Sequence, residues 1–359
     1  MVAIPVRNEE ACIGACLKAL NDQIAGRPDD VVLLLNNCSD RTASIAREFR
    51  SRLSYGLHVI DVQLPPGSAS AGCARYLALE AAARLAGDTG ILLTTDADGR
   101  VDPDWIGANL TAIQAGADVV AGWAELDPTD WGSIPLRLHE DDAKEQGYDA
   151  ACDELHALLD PDPADPLPRH TQASGASITV TVAAYRAAGG MPMVPSGEDR
   201  AFIAALRRID ARIRHAPECR VIVSGRTEGR AAGGMADTIR RRLTVPDAYL
   251  DDRLEPAEDC ARRAALRRMI RTAYEGGAAI DQMHGLLSVE ERAMHAALLR
   301  PTFGSAWAAL ERSSPRLRRR RVPTAELPGQ QARAEALRSL ARHDPVACSE
   351  AVLHGMSVG

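Results

Sequence analysis

Long apolar runs are missing from this 359-residue chain. No stretch approaches the ~20 apolar residues that span a bilayer, so no transmembrane helix is expected. No secretory leader is expected either. Met1 leads straight into Val2-Ala3-Ile4-Pro5-Val6 and then Arg7-Asn8-Glu9-Glu10. The eight cysteines show no paired, metal-type spacing, and Cys12 and Cys16 share one face of an expected helix. No disulfide framework follows, and a reducing, cytoplasmic setting is the expectation. Excess positive charge is lacking: the net charge is −7. Nonspecific nucleic-acid binding by the whole protein is therefore not expected. The charge is uneven, however. Arg240, Arg241 and Arg242, then Arg262 and Arg263, then Arg316 with Arg318, Arg319, Arg320 and Arg321 put basic clusters in the C-terminal third. No internal repeat is present. Apolar residues at 46% and charged residues at 25% describe an ordinary globular chain, long enough for one large domain or two smaller ones.

What is present centres on residues 88–105. The apolar, β-branched run 91–95 reads as a buried strand, and Asp96 and Asp98 stand where it must end. Gly99 then releases the backbone into a turn. Ligands of open α/β sheets bind at the carboxyl ends of strands. A carboxylate pair there suits a hard divalent cation, Mn²⁺ or Mg²⁺, whose other ligands are phosphate oxygens. An acidic turn is the plain alternative. The pattern recurs at Asp102/Asp104 and Asp160/Asp162, but each has a central proline and neither follows an apolar strand directly.

Strand-like runs at 2–6, 31–35, 57–62 and 91–95 alternate with helical patterns at 9–20, 42–50 and about 70–86. That is β-α-β-α-β-α-β, the pattern of a parallel sheet covered by helices. The wholly apolar 31–35 fits a strand buried on both faces. Beyond 105 we expect a helix over 105–115, a short strand over 118–122, a polar loop or lid over 125–170 with a helix near 141–159, and a strand over 174–182. A short helix at 183–188, a helix from 199 to 209, and strand pieces at 213 and 221–223 follow. From 236 onward only helical patterns remain. The expected division is 1–235, with halves 1–122 and 123–235, followed by a helical extension over 236–359.

Several motifs together carry a resemblance. Ile4-Pro5-Val6-Arg7-Asn8-Glu9-Glu10 resembles the opening of family 2 glycosyltransferases, which have the GT-A fold. Asn36-Asn37-Cys38-Ser39-Asp40-Arg41-Thr42 is similar to their second loop, and Ala74-Arg75 to their Ala-Arg helix start. Thr95-Asp96-Ala97-Asp98 matches their Asp-x-Asp motif, with Asp102-Pro103-Asp104-Trp105 as its sequel. Ser174-Gly175-Ala176, Gly189-Gly190 and Gly197-Glu198-Asp199 resemble the acceptor half. The likeness covers about 2–230 and does not reach the C-terminal third.

The resemblance implies a nucleotide-binding α/β/α sandwich with a mostly parallel central sheet. It implies a nucleoside diphosphate sugar as donor partner, with Asp98 as direct metal ligand and Asp96 near the ribose and the metal's water shell. Pro5, Arg7, Asn8 and Glu9 then surround the nucleoside with Asn36, Asn37 and Asp40, while Arg7 and Arg75 neutralise phosphates. Asn36 stands where many members have an aspartate that accepts the imide N–H of uracil. UDP is the default nucleotide, and Asn36 leaves GDP or another open. Asx turns, a helix-start charge at Glu9 and solvated arginines are the plain readings of these residues. Asp199 is the expected general base, with Glu198 positioning the acceptor, and one base implies inversion. A capping box from Ser196 is the plain reading of Asp199. Arg226 and Arg230, in a Gly-rich stretch, are expected to close over the diphosphate. The acceptor, whether saccharide, lipid or small molecule, is not encoded legibly. Weaker candidates are His215 near the metal, and Trp123 or Trp131 stacking on a sugar. The run 316–321 reads as solvated charge, or as contact with an anionic membrane surface or acidic partner. A sugar nucleotidyltransferase is disfavoured, because Pro5-Val6-Arg7-Asn8 lacks the required Gly-rich loop. A non-catalytic binding module is disfavoured by the intact acidic pairs.

Overall fold

A computed structural model describes residues 1–227, 229, 234–276 and 283–354. The elements in chain order are β1 (Val2–Val6), α1 (Ile13–Asn21), β2 (Asp30–Asn36), α2 (Thr42–Phe49), β3 (Gly56–Val62), α3 (Ala71–Ala86) and β4 (Ile91–Thr94). Then come β5 (Arg100–Val101), α4 (Trp105–Gln114), β6 (Val119–Leu126), α5 (Leu136–Leu159), β7 (Ile178–Thr181), α6 (Val182–Ala187), α7 (Glu198–Arg208), β8 (Ile213–Val223) and α8 (Met235–Thr244). The chain ends in α9 (Ala257–Gly276), α10 (Met283–Leu287), α11 (Glu291–Leu298), α12 (Phe303–Ser313), α13 (Leu327–His343) and α14 (Pro345–His354). No helix among the described residues is long and apolar enough to cross a membrane.

The chain falls into two compact units. The first comprises Met1–Pro135, Pro168–Arg207 and Ala211–Thr244, and the second comprises Leu136–Leu167, Arg208–Asp210 and Val245–Gly359. The first is built on an eight-stranded sheet in the order β3-β2-β1-β4-β7-β6-β8-β5. Strands β1 to β4 run parallel, β7 is antiparallel to both β4 and β6, and β6 pairs in parallel with β8. The expected alternation of strands and helices up to residue 95 therefore yields the expected mixed but mostly parallel sheet.

Strand alternation explains both faces. Val2, Ile4 and Val6 lie beside Val31, Leu33 and Leu35 in one core, and all are 2% exposed or less. Ile13, Leu17 and Leu20 of α1 and Trp105 and Ile106 of α4 complete it. The intervening Ala3, Val32 and Leu34 are buried on the opposite face, where the Ala-rich α3 packs over β1 and β2. Ser70 caps α3 by accepting the Cys73 N–H at 3.1 Å, which settles where that helix begins.

Several elements differ from the sequence expectation. The β8 strand is continuous, although Pro217 stands inside it. Gly122 pairs with Ala216 and Trp123 with Arg220, so 217–219 bulge out of the ladder and the proline removes no pairing donor. Strand β6 extends to Leu126 rather than stopping at 122. Helix α5 begins at Leu136, before the expected 141.

In the second unit, α5, α9, α13 and α14 enclose Tyr148, Leu155, Leu159, Leu254, Ala261 and Ala334. A neighbouring cluster gathers Leu266, Ile270, Met294, Phe303, Trp307 and Leu310. Between these positions the buried Arg263 holds Glu255 through bonds of 2.7 and 2.8 Å. The basic run is partly absorbed here. Arg319 reaches Glu255 at 3.3 Å, Arg320 pairs with Asp259 at 2.6 Å, and Arg321 stacks over Tyr249.

Candidate functional site

The carboxyl ends of β1, β2 and β4 lie side by side in the sheet, and their loops carry the motif residues. The first two loops are fastened to each other. Asn8 accepts the Ser39 N–H at 2.8 Å, Asp40 accepts the Glu10 N–H at 3.1 Å, and Thr42 accepts the Glu9 N–H at 2.8 Å. Asn8 and Asn37 have φ of 54° and 52°, a left-handed conformation that asparagine tolerates better than most residues. Asn37 also clasps Leu64, donating to its carbonyl and accepting its N–H, both at 2.9 Å. These residues thus shape the loops, while Arg7 lies exposed and donates to the Ala69 carbonyl at 3.1 Å.

Asn36, the last residue of β2, is 2% exposed. Its amide donates at 3.4 and 3.5 Å to the carbonyls of Ala69 and Ser70, and its Oδ1 is buried without a hydrogen-bond partner. An unsatisfied buried acceptor is costly, of order 1–3 kcal/mol. An N–H placed against it would satisfy it.

Arg75, on the first turn of α3, is 4% exposed. Its guanidinium donates to Asp96 at 2.7 Å, to Glu198 at 3.4 Å, to the Thr94 hydroxyl at 2.8 Å and to the Gly175 carbonyl at 2.8 Å. Burial alone would lower its pKa, but Asp96 and Glu198 outweigh burial and raise it. Only glycine fits at 175: a Cβ there would stand 2.6 Å from the guanidinium carbon. Gly175 N–H in turn donates to Asp199 at 3.1 Å. One buried cation therefore gathers the end of β4 and the start of α7, with Gly197 turning at φ +72° just before that helix. The sequence names Arg75 as a phosphate partner; four of its five donors are engaged inside the protein.

Asp98 lies next to this network. Burial, followed by the nearby Asp96 charge, pushes its carboxyl up to about 6, against the downward pull of Arg226. Arg226 Nη2 stands 3.0 Å from Asp98, and the same guanidinium grips Glu9 with bonds of 2.7 and 2.5 Å. The loop bearing it is anchored by the Gly225 N–H, which donates to Asp130 at 2.7 Å. Sequence reasoning missed Asp130, Thr94 and the Glu9–Arg226 pair. Their partners are far away in the chain, and no local pattern announces them. Arg230 lies outside the described residues.

The acidic donor set fits a hard divalent cation. Arg226 already places positive charge on Glu9 and Asp98, the neighbourhood where the metal was expected. Among the described residues no group of three or more His, Cys, Asp or Glu is arranged to hold a metal ion. A cation here would thus need oxygens from a ligand to complete its shell. His215 stands ring to ring with His170 at 5.7 Å, and His170 packs against Trp123 at 5.3 Å. Trp131 is largely exposed.

The chain has one family match and several similar solved structures. Residues 1–162 match the model of glycosyl transferase family 2. A search of curated proteins finds no match. Among solved structures, the chain is similar to S. aureus TarS 1–349 in complex with UDP-GlcNAc, with 16% identity, TM-score 0.48, and coverage of 99% of this chain and 90% of that one. It is similar to the mannosyltransferase PcManGT from Pyrobaculum calidifontis in complex with GDP-Man and Mn²⁺, with 17% identity, TM-score 0.42, and coverage of 99% and 85%. It is also similar to glucosyl-3-phosphoglycerate synthase from Mycobacterium tuberculosis in complex with Mn²⁺, UDP and phosphoglyceric acid, with 18% identity, TM-score 0.40, and coverage of 69% and 79%. The matched residues 1–162 carry the first loops and the Asp96/Asp98 motif.

Proposed function

We propose that this chain is a cytoplasmic glycosyltransferase of the hexosyltransferase type. It moves a sugar from a nucleoside diphosphate sugar to an acceptor hydroxyl with inversion at the anomeric carbon. The observation that carries the reading is Arg75, a single buried guanidinium bonded to Asp96 on one side and Glu198 on the other. It ties the acidic motif expected to hold the donor to the acidic pair expected to serve the acceptor.

In this reading Pro5, Arg7, Asn8, Glu9, Asn37 and Asp40 frame the nucleoside, and the unpartnered Oδ1 of Asn36 receives an N–H of the base. Both uracil and guanine offer such a donor, and UDP stays the default. Asp98, with Asp96, would hold a divalent cation, Mn²⁺ or Mg²⁺, which when bound neutralises charge on the diphosphate. Arg226, and Arg230 beyond the described residues, would turn their donors to the phosphates. Asp199 takes the proton from the attacking hydroxyl, and Glu198, held by Arg75, orients the acceptor. The Gly175 N–H donates to Asp199 and helps to hold its carboxylate in position. Membrane contact through the arginine run has limited support, because Arg319 and Arg320 are engaged by Glu255 and Asp259.

The test is a melting-temperature survey of UDP and GDP, each with Mn²⁺, Mg²⁺ or EDTA. A ligand that binds only the folded state raises the midpoint. We expect one nucleoside diphosphate to stabilise the protein by several degrees with metal and little with EDTA. No shift with any nucleotide under any condition would sink the reading.

A further inference from the structure

Strand β3 ends the eight-strand order, so among the described residues one side of Gly56–Val62 carries no neighbouring strand. An open groove of about 560 Å³ runs along it. Leu57, His58, Val59 and Ile60 form its floor, with Arg47 and Arg50 on one wall and Ala81, Arg84 and Leu85 on the other. Helix α2 supplies Arg47, and Arg50 follows directly after it, while α3 supplies Arg84. All three arginines are exposed, and Leu85 is 52% exposed. His58 is engaged by Asp30 at 2.8 Å, and Asp61, the strand's own exposed carboxylate, is not among the lining residues.

We propose that this edge binds an extended, acidic segment of a partner protein, which adds to β3 as a further strand. An unpaired strand edge offers a row of main-chain donors and acceptors to an incoming chain. The apolar floor receives side chains on one face of such a segment. The arginines flank the edge from both walls, where carboxylates of an added strand would meet them. The same charges select against the obvious competitor. Pairing β3 with β3 of a second copy would bring arginines against arginines, and like charges across strands destabilise. This edge lies away from Asp96, Asp98 and Asp199, and the inference stands independently of the transferase reading.

The experiment uses the full chain and a capped, fluorescent peptide alternating valine and glutamate. Controls carry glutamine for glutamate, or proline at alternate positions. The second protein is Arg47→Glu/Arg84→Glu, whose exposed sites leave folding intact, as checked by its melting temperature. The expected result is anisotropy-detected binding that weakens with salt and falls at least about tenfold in the variant. Hydrogen exchange at 56–62 should slow when the peptide is bound. Equal binding of the proline peptide, or binding without protection of 56–62, would reduce the surface to nonspecific attraction and overturn strand addition. Absence of binding would overturn it as well. So would self-association of the wild type that the double variant abolishes, since that would assign the edge to a second copy.

Discussion

Asp98 carries a cost in the folded state. Its carboxyl sits at about 6 in the fold against an ordinary 3.8, because burial and Asp96 disfavour the charge. The sign follows from linkage: a raised acid pKa means that ionisation destabilises the folded state. The penalty is complete above pH ~6 and fades as pH falls toward 4, at on the order of 1–3 kcal/mol for a shift of about two units. Asp98→Asn should therefore melt higher than wild type at pH 7.5 in EDTA, and the gap should close near pH 4. A variant that melts lower at pH 7.5 would contradict this. Asn36 makes a second residue-scale prediction. Asn36→Asp should favour uridine over guanosine nucleotides in competition binding, since a carboxylate accepts the imide N–H through a charge-assisted bond. An unchanged ratio would place Asn36 away from the base.

At the scale of elements, α3 and α7 are joined through Arg75. Arg75→Lys keeps the charge and loses the planar set of donors that reaches Asp96, Glu198, Thr94 and Gly175. We expect a loss of ~1.5–3 kcal/mol in urea unfolding and a clear fall in transfer rate. Stability and rate equal to wild type would show that the link is incidental. The strands themselves are held by burial. Leu33 of β2 is fully buried in the core beneath the site. Leu33→Ala should cost ~2–5 kcal/mol, measured by the same unfolding, and a loss below 1 kcal/mol would mean that this core relaxes freely. These elements were legible because they are local. The apolar runs at 2–6, 31–35 and 91–95 announce buried strands. By contrast, β8 was read as fragments, because Pro217 breaks the pattern and the bulge that excuses it depends on β6. The two-residue β5 has too little sequence to signal anything and exists through its pairing with β8.

At the scale of the molecule, the site is assembled from distant parts. The Asp96/Asp98 pair and the Glu198/Asp199 pair were readable as motifs. Their linkage was not, since Arg75 and Glu198 stand 123 residues apart and Arg226 and Glu9 stand 217 apart. Such pairings are decided by the sheet order, which brings separated loops to one edge. The helical unit after residue 244 was legible as helices only. Its packing rests on a buried pair, Arg263 and Glu255, whose charges read as surface in a sequence.

The central claim is that donor capture and proton removal belong to different acidic pairs in one site. Asp199→Asn separates them most directly. The amide is nearly isosteric, so folding and the start of α7 should survive while the proton acceptor is lost. Binding of nucleoside diphosphate with Mn²⁺, followed by calorimetry, and transfer from the donor found by the melting survey should be measured on the same preparation. The account predicts donor affinity close to wild type and transfer reduced by ~10²–10⁴. Transfer at the wild-type rate, or loss of donor binding with it, would contradict the assignment.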